Sequence, residues 1–181
     1  MKTKIASLFL VGFLISCVQP IPRKPVTIKS SSFMETSVSL NKKMNEKEEN
    51  LLKNIIKNDS LTTYIASPSG FWYTYNLKSK NTYTPQFGDQ VLYACEIYNL
   101  NNEVIYSAQE LGLQNYTINK QELVEGLRNG LQLMNEGDVV TFLFPSHKVF
   151  GYLGDENKIG INQPLIYKVQ LNKINKKNES N

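Results

Sequence analysis

Two cysteines and one histidine are all that this 181-residue chain offers a metal with nitrogen or sulfur preference. A lone His147 excludes any multi-histidine site, and Cys17 and Cys95 form no Cys-x-x-Cys pair, so no metal or other cofactor is expected. Nor is there a Gly-x-Ser-x-Gly elbow, so His147, following Phe144-Pro145-Ser146, reads as a loop residue and not as a hydrolase base. Charge of one sign is also scarce. The net charge of +4 falls to +2 once Lys2 and Lys4 are removed with a leader, and the lysines gather on no single predicted face. That excludes the electrostatic footprint of a nucleic-acid-binding protein. No apolar run approaches the roughly 20 residues a membrane span needs. What is present, 41% hydrophobic and 20% charged residues, fits one globular domain with an additional arm.

The most apolar segment, Ile5 to Ile15, follows Lys2 and Lys4 and has the length of an export signal. It ends in Leu14-Ile15-Ser16-Cys17, which resembles the lipobox of bacterial lipoproteins. The resemblance implies cleavage after residue 16, a diacylglyceryl thioether on Cys17 and a further acyl chain, such as palmitate, on the new amine. Each buried methylene contributes about 0.8 kcal/mol, so two or more chains give stable membrane attachment where one does not. Cys95 then has no partner, and no disulfide is expected. No acidic run follows Cys17, so a cell-envelope domain facing the periplasm is expected.

Residues 17–45 read as a tether. Pro20, Pro22 and Pro25 favour extended backbone, and the Ser/Thr-rich stretch from Ser30 to Asn41 has too few large apolar residues for a core. Residues 46–84 read as a helix followed by an aromatic strand extension. Leu51, Leu52, Ile55 and Ile56 recur on one face of a helix over Glu46 to Asn58, supported by a Glu49–Lys53 pair. So short a helix is marginal alone, and its stripe either docks on the following domain or binds a partner. In Gly70-Phe71-Trp72-Tyr73-Thr74-Tyr75, the aromatics favour a strand and read as core or domain-joining residues, not as a base-stacking platform.

The domain itself is placed at 85–175, with a polar tail at 176–181. Strands are expected over Val91–Tyr98, Val139–Pro145 and Leu165–Ile174. In the last, Leu165, Tyr167, Val169 and Leu171 alternate with Ile166, Lys168, Gln170 and Asn172. One helix is expected over Glu122–Met134, with Asn119 as its cap and Glu122 at capping-box spacing. Gly126 and Gly130 share a face of it. Each costs about 1 kcal/mol relative to alanine in a helix, which implies close approach of helix to sheet. The fold class is α+β, an antiparallel sheet wrapped around one short helix.

The ordered set Gly88, Val91–Tyr98, Leu123-Val124-Glu125-Gly126-Leu127, Gly130, Met134, Gly137, Phe150-Gly151-Tyr152 and Leu165-Ile166-Tyr167-Lys168-Val169 resembles the FKBP-type peptidyl-prolyl isomerases. That family has a strand with a pocket tyrosine, a Phe-Asp-Ser-Ser turn and Val-Ile-x-Gly-Trp at its helix entry. A Met-x-x-Gly-(Asp/Glu) exit, an Ala-Tyr-Gly loop and an alternating closing strand follow. The likeness covers Gly88 to Asn175. The wider chain resembles the gliding-motility-associated FKBP-type lipoproteins of Bacteroidetes. It shares their lipoprotein start, the helix before Asp59, Gly70-Phe71-Trp72-Tyr73-x-Tyr75 and Phe144-Pro145-Ser146-His147-Lys148. This implies proline-containing polypeptide clients, a membrane anchor and association with motility or secretion machinery.

Rotating an X–Pro bond means crossing a barrier of about 18–20 kcal/mol, much of it amide resonance. A dry apolar pocket favours the less dipolar twisted amide, and donors hold the flanking carbonyls; no nucleophile is needed. The resemblance implies catalytic positions at Val124, Phe150, Tyr106 and Leu127, and substrate-binding positions at Cys95, Ile105, Leu123, Ile159 and Tyr167. The Val124 N–H is the implied ligand donor. Several positions depart from the family. The floor tryptophan falls on Leu127, the first-strand tyrosine on Cys95, the turn's Phe-Asp pair on Ile105-Tyr106, the loop tyrosine on Phe150, and a phenylalanine on Tyr167. A wider floor and a missing turn carboxylate leave two readings, an isomerase and an FKBP-fold binding module.

Overall fold

The computed structural model describes residues 30–177. The leader, the lipobox with Cys17 and the proline-rich start of the tether lie outside the described residues, as does the tail beyond residue 177. The chain divides into two compact units between Ser37 and Val38, and the packing below concerns Val38 onward.

Helix α1 runs over Ser30–Asn58 and so begins well before the expected Glu46. The stretch assigned to the tether contains no proline or glycine between Ser30 and Asn58, so nothing interrupts a helix once it is nucleated. Its early apolar residues, Val38 and Leu40, remain exposed, so sequence periodicity gave no sign of it. Of the two readings of the stripe, the later turns follow the docking one. Leu52 is fully buried against Leu143 and Ile166, with Ile56, Tyr64, Trp72, Tyr98 and Leu100 around them. Leu51 faces solvent. A carboxylate adds a second fastening, because Glu48 accepts hydrogen bonds from the Ser146 N–H and hydroxyl, both at 2.8 Å.

Strands β1 (Ile65–Ser67), β2 (Phe71–Leu77), β3 (Gln90–Tyr98), β4 (Val104–Tyr106), β5 (Gln114–Thr117), β6 (Val139–Phe144) and β7 (Leu165–Asn175) form one sheet. Its order is β1-β2-β6-β7-β3-β4, with β5 also on β3, and every pairing is antiparallel. Thus β2, assigned to an extension ending at residue 84, is a strand of the sheet itself, paired to β6 through Trp72↔Leu143 to Leu77↔Val139.

The pleat sends Phe71, Tyr73 and Tyr75 to the inner face and Trp72 to the outer face beneath α1. Inside, Val91, Tyr93, Cys95, Ile97, Phe142, Phe144 and the alternating residues of β7 surround Leu127, Leu131 and Met134. The helix providing Leu127 and Leu131, α3, spans only Glu125–Leu131, shorter than the expected 122–134. Asn119 is not its cap. It sits at φ +57° in a turn, and Val124 takes the cap position in extended conformation without a side-chain bond. The left-handed backbone at Asn119 is incompatible with the β-region geometry of an N-cap. The two glycines do meet the sheet. A Cβ on Gly126 would lie 2.7 Å from the Phe144 ring, and one on Gly130 would lie 2.9 Å from the Phe142 ring.

Candidate active site

Between α3 and the inner face of β3 and β7 lies an apolar cavity of about 550 Å³. The extended backbone at Leu123 and Val124, just before α3, brings both side chains to it, and the first turn adds Leu127. β3 contributes Tyr93, Cys95 and Ile97, which share one face by alternation. β7 contributes Tyr167, and the loop after the 3₁₀ turn at Ser146–Lys148 contributes Phe150. Helix α2 (Ala108–Leu111) supplies Leu111 and leads into Gln114 of β5, while Glu122 stands at the exposed rim.

Of the nine pocket positions named from sequence, six line this cavity: Cys95, Leu123, Val124, Leu127, Phe150 and Tyr167. Three do not. Tyr106 was assigned a catalytic position, but its hydroxyl donates to Asp155 and accepts from the Asn157 amide, and the Lys158 ammonium lies 4.7 Å above its ring. Ile105 is half-buried against the core. Ile159 is core, its N–H donating to Asp155 Oδ1 at 2.7 Å. Tyr106 and Ile159 instead fasten the loop that follows Phe150, both through Asp155.

Asp155 holds that fastening together. Burial alone would raise its pKa, but hydrogen bonds from the Tyr106 hydroxyl and the Ile159 and Asn157 N–H groups outweigh this and hold the carboxyl below its ordinary value. The same bond, with a smaller effect of burial, raises Tyr106. A carboxylate is therefore present beside the position where the turn lacks one. Its lone pairs are engaged by these three donors, so it orders the loop.

The buried thiol and hydroxyls of the cavity, on Cys95, Tyr93 and Tyr167, are held neutral. Burial pushes the Cys95 thiol up to about 11, with a smaller contribution from Glu96, so it stays a thiol and is no nucleophile near neutrality. Burial raises Tyr93 and Tyr167 further, Tyr93 with Cys95 and Tyr116 adding, Tyr167 with Cys95, Tyr93 and Asp155 adding. His147 is exposed, and Ser146 beside it spends its hydroxyl on Glu48, so the two form no nucleophile–base pair. Among the described residues no group of three potential metal ligands assembles.

The arrangement thus offers an apolar chamber, a helix-entry N–H and neutral hydroxyls. The Val124 N–H donates to no acceptor among the described residues. Sequence reasoning missed Tyr93, Ile97, Leu111, Gln114, Glu122 and Asp155. Tyr93 and Ile97 were recoverable from the alternation of β3. Leu111 was recoverable from Ser107 and Glu110, whose capping-box spacing marks α2; the Ser107 hydroxyl does accept from the Glu110 N–H.

Comparison with known proteins gives a consistent picture. No curated protein sequence matches significantly. Among solved structures, the peptidyl-prolyl cis-trans isomerase of Pseudomonas syringae pv. tomato strain DC3000 superposes with a TM-score of 0.59 at 14% identity. The match covers 72% of this chain and 96% of that one. At that identity the likeness speaks to the fold. Residues 81–172, about half the chain, match the profile of the family described as FKBP-type peptidyl-prolyl cis-trans isomerase, and the chain belongs to that family.

Proposed function

We propose that this protein is a membrane-tethered prolyl isomerase that accelerates slow X–Pro steps in the folding of cell-envelope polypeptides, including those of motility or secretion machinery. The observation that carries the reading is the apolar chamber at the helix entry, walled by Leu123, Val124, Leu127 and Phe150, with a backbone N–H beside it and no nucleophile–base pair. That is the equipment a bond rotation requires. A proline ring seated there leaves water, the dipolar planar amide loses its solvent stabilisation, and the twisted form gains relative to it. Uncatalysed, such steps take tens of seconds or more.

The tether rests on Leu14-Ile15-Ser16-Cys17, with acyl chains on Cys17 holding the domain at the envelope membrane. A second reading is an FKBP-fold module that binds its client without turning the bond. It is favoured by Leu127 where the family has a tryptophan floor, and by the engagement of Tyr106 with Asp155.

The deciding measurement is cis/trans exchange in a proline tetrapeptide, followed by NMR with the full chain in detergent. Acceleration that disappears in Phe150→Ala and Val124→Asp supports the isomerase. Tight peptide binding without acceleration, even at high protein concentration, replaces it with the binding module. Cys17→Ala tests the anchor: the protein should move from the membrane fraction to the soluble fraction, and retention would refute lipidation at that residue.

A further inference from the structure

Two tyrosines bring hydroxyl groups to the cavity wall. Tyr93 and Tyr167 are 3% and 2% exposed, both rings line the chamber, and neither hydroxyl has a hydrogen-bond partner among the described residues. Three other tyrosine hydroxyls of the domain are engaged: Tyr106 on Asp155, Tyr75 on the Leu133 carbonyl, and Tyr116 as acceptor from the Asn119 N–H. Among the described residues the buried side-chain polar atom left without a partner is Asn135 Oδ1, so both tyrosine hydroxyls keep access to solvent through the cavity. Two free donors opening onto one cavity offer hydrogen bonds to an occupant that brings an acceptor, and an occupant without one would cut both off from water.

Most of the wall cannot supply one. Ile97, Leu111, Leu123, Val124, Leu127 and Phe150 are apolar, and Cys95 offers only a weakly accepting thiol. The side-chain acceptors there are the Gln114 amide oxygen and the Glu122 carboxylate at the rim, and neither tyrosine hydroxyl bonds to either. Both hydroxyls keep their protons, because burial raises them above the ordinary tyrosine value, so they are neutral donors throughout the physiological range.

We propose that the Tyr93 and Tyr167 hydroxyls are the pocket's specificity-determining donors, hydrogen-bonding the carbonyl oxygens that flank a bound proline; this rests on the isomerase reading above. They do from the strands what Phe150, lacking a hydroxyl, cannot do from the loop. A purely hydrocarbon occupant of the same size would leave both hydroxyls stranded, so the chamber discriminates against it. A peptide that brings a carbonyl with its ring satisfies both requirements at once.

Replacing each tyrosine by phenylalanine removes the hydroxyl and keeps the ring. The full chain is titrated with the peptide Ala-Leu-Pro-Phe, and separately with methylcyclopentane, which has the ring but no acceptor. In Tyr93→Phe and Tyr167→Phe, peptide affinity and kcat/KM should each fall about 3- to 10-fold, the range for a lost neutral hydrogen bond. The double variant should fall further, while methylcyclopentane binds equally or more tightly. Equal loss for both probes would mean that the hydroxyls only shape the pocket, and it would overturn the inference. Unchanged peptide binding would mean that they face water, again overturning it while the isomerase reading stands. If the unaltered protein neither binds nor turns over the peptide, the isomerase reading itself fails, and this inference with it.

Discussion

Gly126→Ala opposes two well-measured effects and lets the structure decide between them. Taken as an isolated helix, α3 should gain about 1 kcal/mol, because alanine is the better helix former. The added methyl, however, would lie 2.7 and 2.8 Å from two carbons of the Phe144 ring and 3.0 Å from the Lys148 carbonyl oxygen. Those contacts have nowhere to relax. Phe144 is fully buried, stacked on Phe142 at 5.3 Å, and met edge-on by Phe71 at 5.1 Å and Tyr167 at 5.4 Å. The Lys148 carbonyl is backbone of the 3₁₀ turn.

Overpacking of a well-filled core costs about 1–3 kcal/mol, and a methyl trapped between a boxed ring and a carbonyl belongs at the upper end. The net expectation is a loss of about 2 kcal/mol, which at an m-value near 2 kcal/mol per molar is a urea midpoint lower by about 1 M. Trp72 is the single tryptophan, half-buried beneath α1, so its fluorescence reports the transition without labelling. Asn129→Ala, half-exposed in the same helix, is the control and should gain about 0.5 kcal/mol. Should Gly126→Ala match or exceed the unaltered protein in midpoint, close helix–sheet contact is not why glycine stands there, and the reasoning fails.

Three further outcomes follow from the same packing. Leu52→Ala removes the buried anchor of α1 and should cost about 3 kcal/mol, with α1 amides losing protection from hydrogen exchange while β3 and β7 keep theirs. Glu48→Ala removes two charge-assisted hydrogen bonds to Ser146 and should cost about 2 kcal/mol, read as faster exchange in the later turns of α1. Asp155 is depressed in the folded state, so its contribution is present above the unfolded carboxylate value of about 3.9 and is lost as pH falls through its lower folded value. Tyr106→Phe removes one of the groups that depress it. Between pH 5 and 2 the variant's urea midpoint should therefore fall less steeply than that of the unaltered protein, and equal slopes would deny the coupling.

What could be read in advance depended on how local the signal was. β3 and β7 were legible because one face of each is buried and their side chains alternate. Gly126 and Gly130 were legible because glycine four apart in a helix has few reasons other than close packing. The first half of α1 was not, because Val38 and Leu40 are exposed and periodicity reports only a buried face. β4 and β5 are three and four residues long, and Gln114-Asn115-Tyr116-Thr117 has a composition suited equally to a loop. The link between Tyr106 and Asp155 spans 49 residues of sequence, and no spacing rule reaches that far. Laying the family pattern down without gaps placed Cys95 on the pocket tyrosine position. The fold brings both Cys95 and Tyr93, two residues apart on one strand face, to the cavity wall.

That last point bears on how an isomerase pocket can change residues and keep its task. The walls are set by backbone: β3, β7 and the entry to α3 fix which side chains point inward, whatever those side chains are. A donor need only arrive somewhere on that inner surface with its hydrogen free. Moving it from a loop to a strand alters its precision more than its chemistry. Phe150 stands on a loop tied down through Asp155, whereas Tyr167 sits within β7, paired with Ile97 on one side and Phe142 on the other. A hydroxyl held by two ladders keeps its position to within a fraction of an ångström, the tolerance that discrimination between planar and twisted amides demands. On the donor assignment proposed above, substitutions that loosen the 150s loop should therefore raise KM for a proline peptide, through the Phe150 wall, while sparing kcat. Tyr106→Phe, which removes one of the three donors that hold Asp155, is such a substitution. If it lowered kcat itself, the decisive contact would lie in the loop and not on the strand.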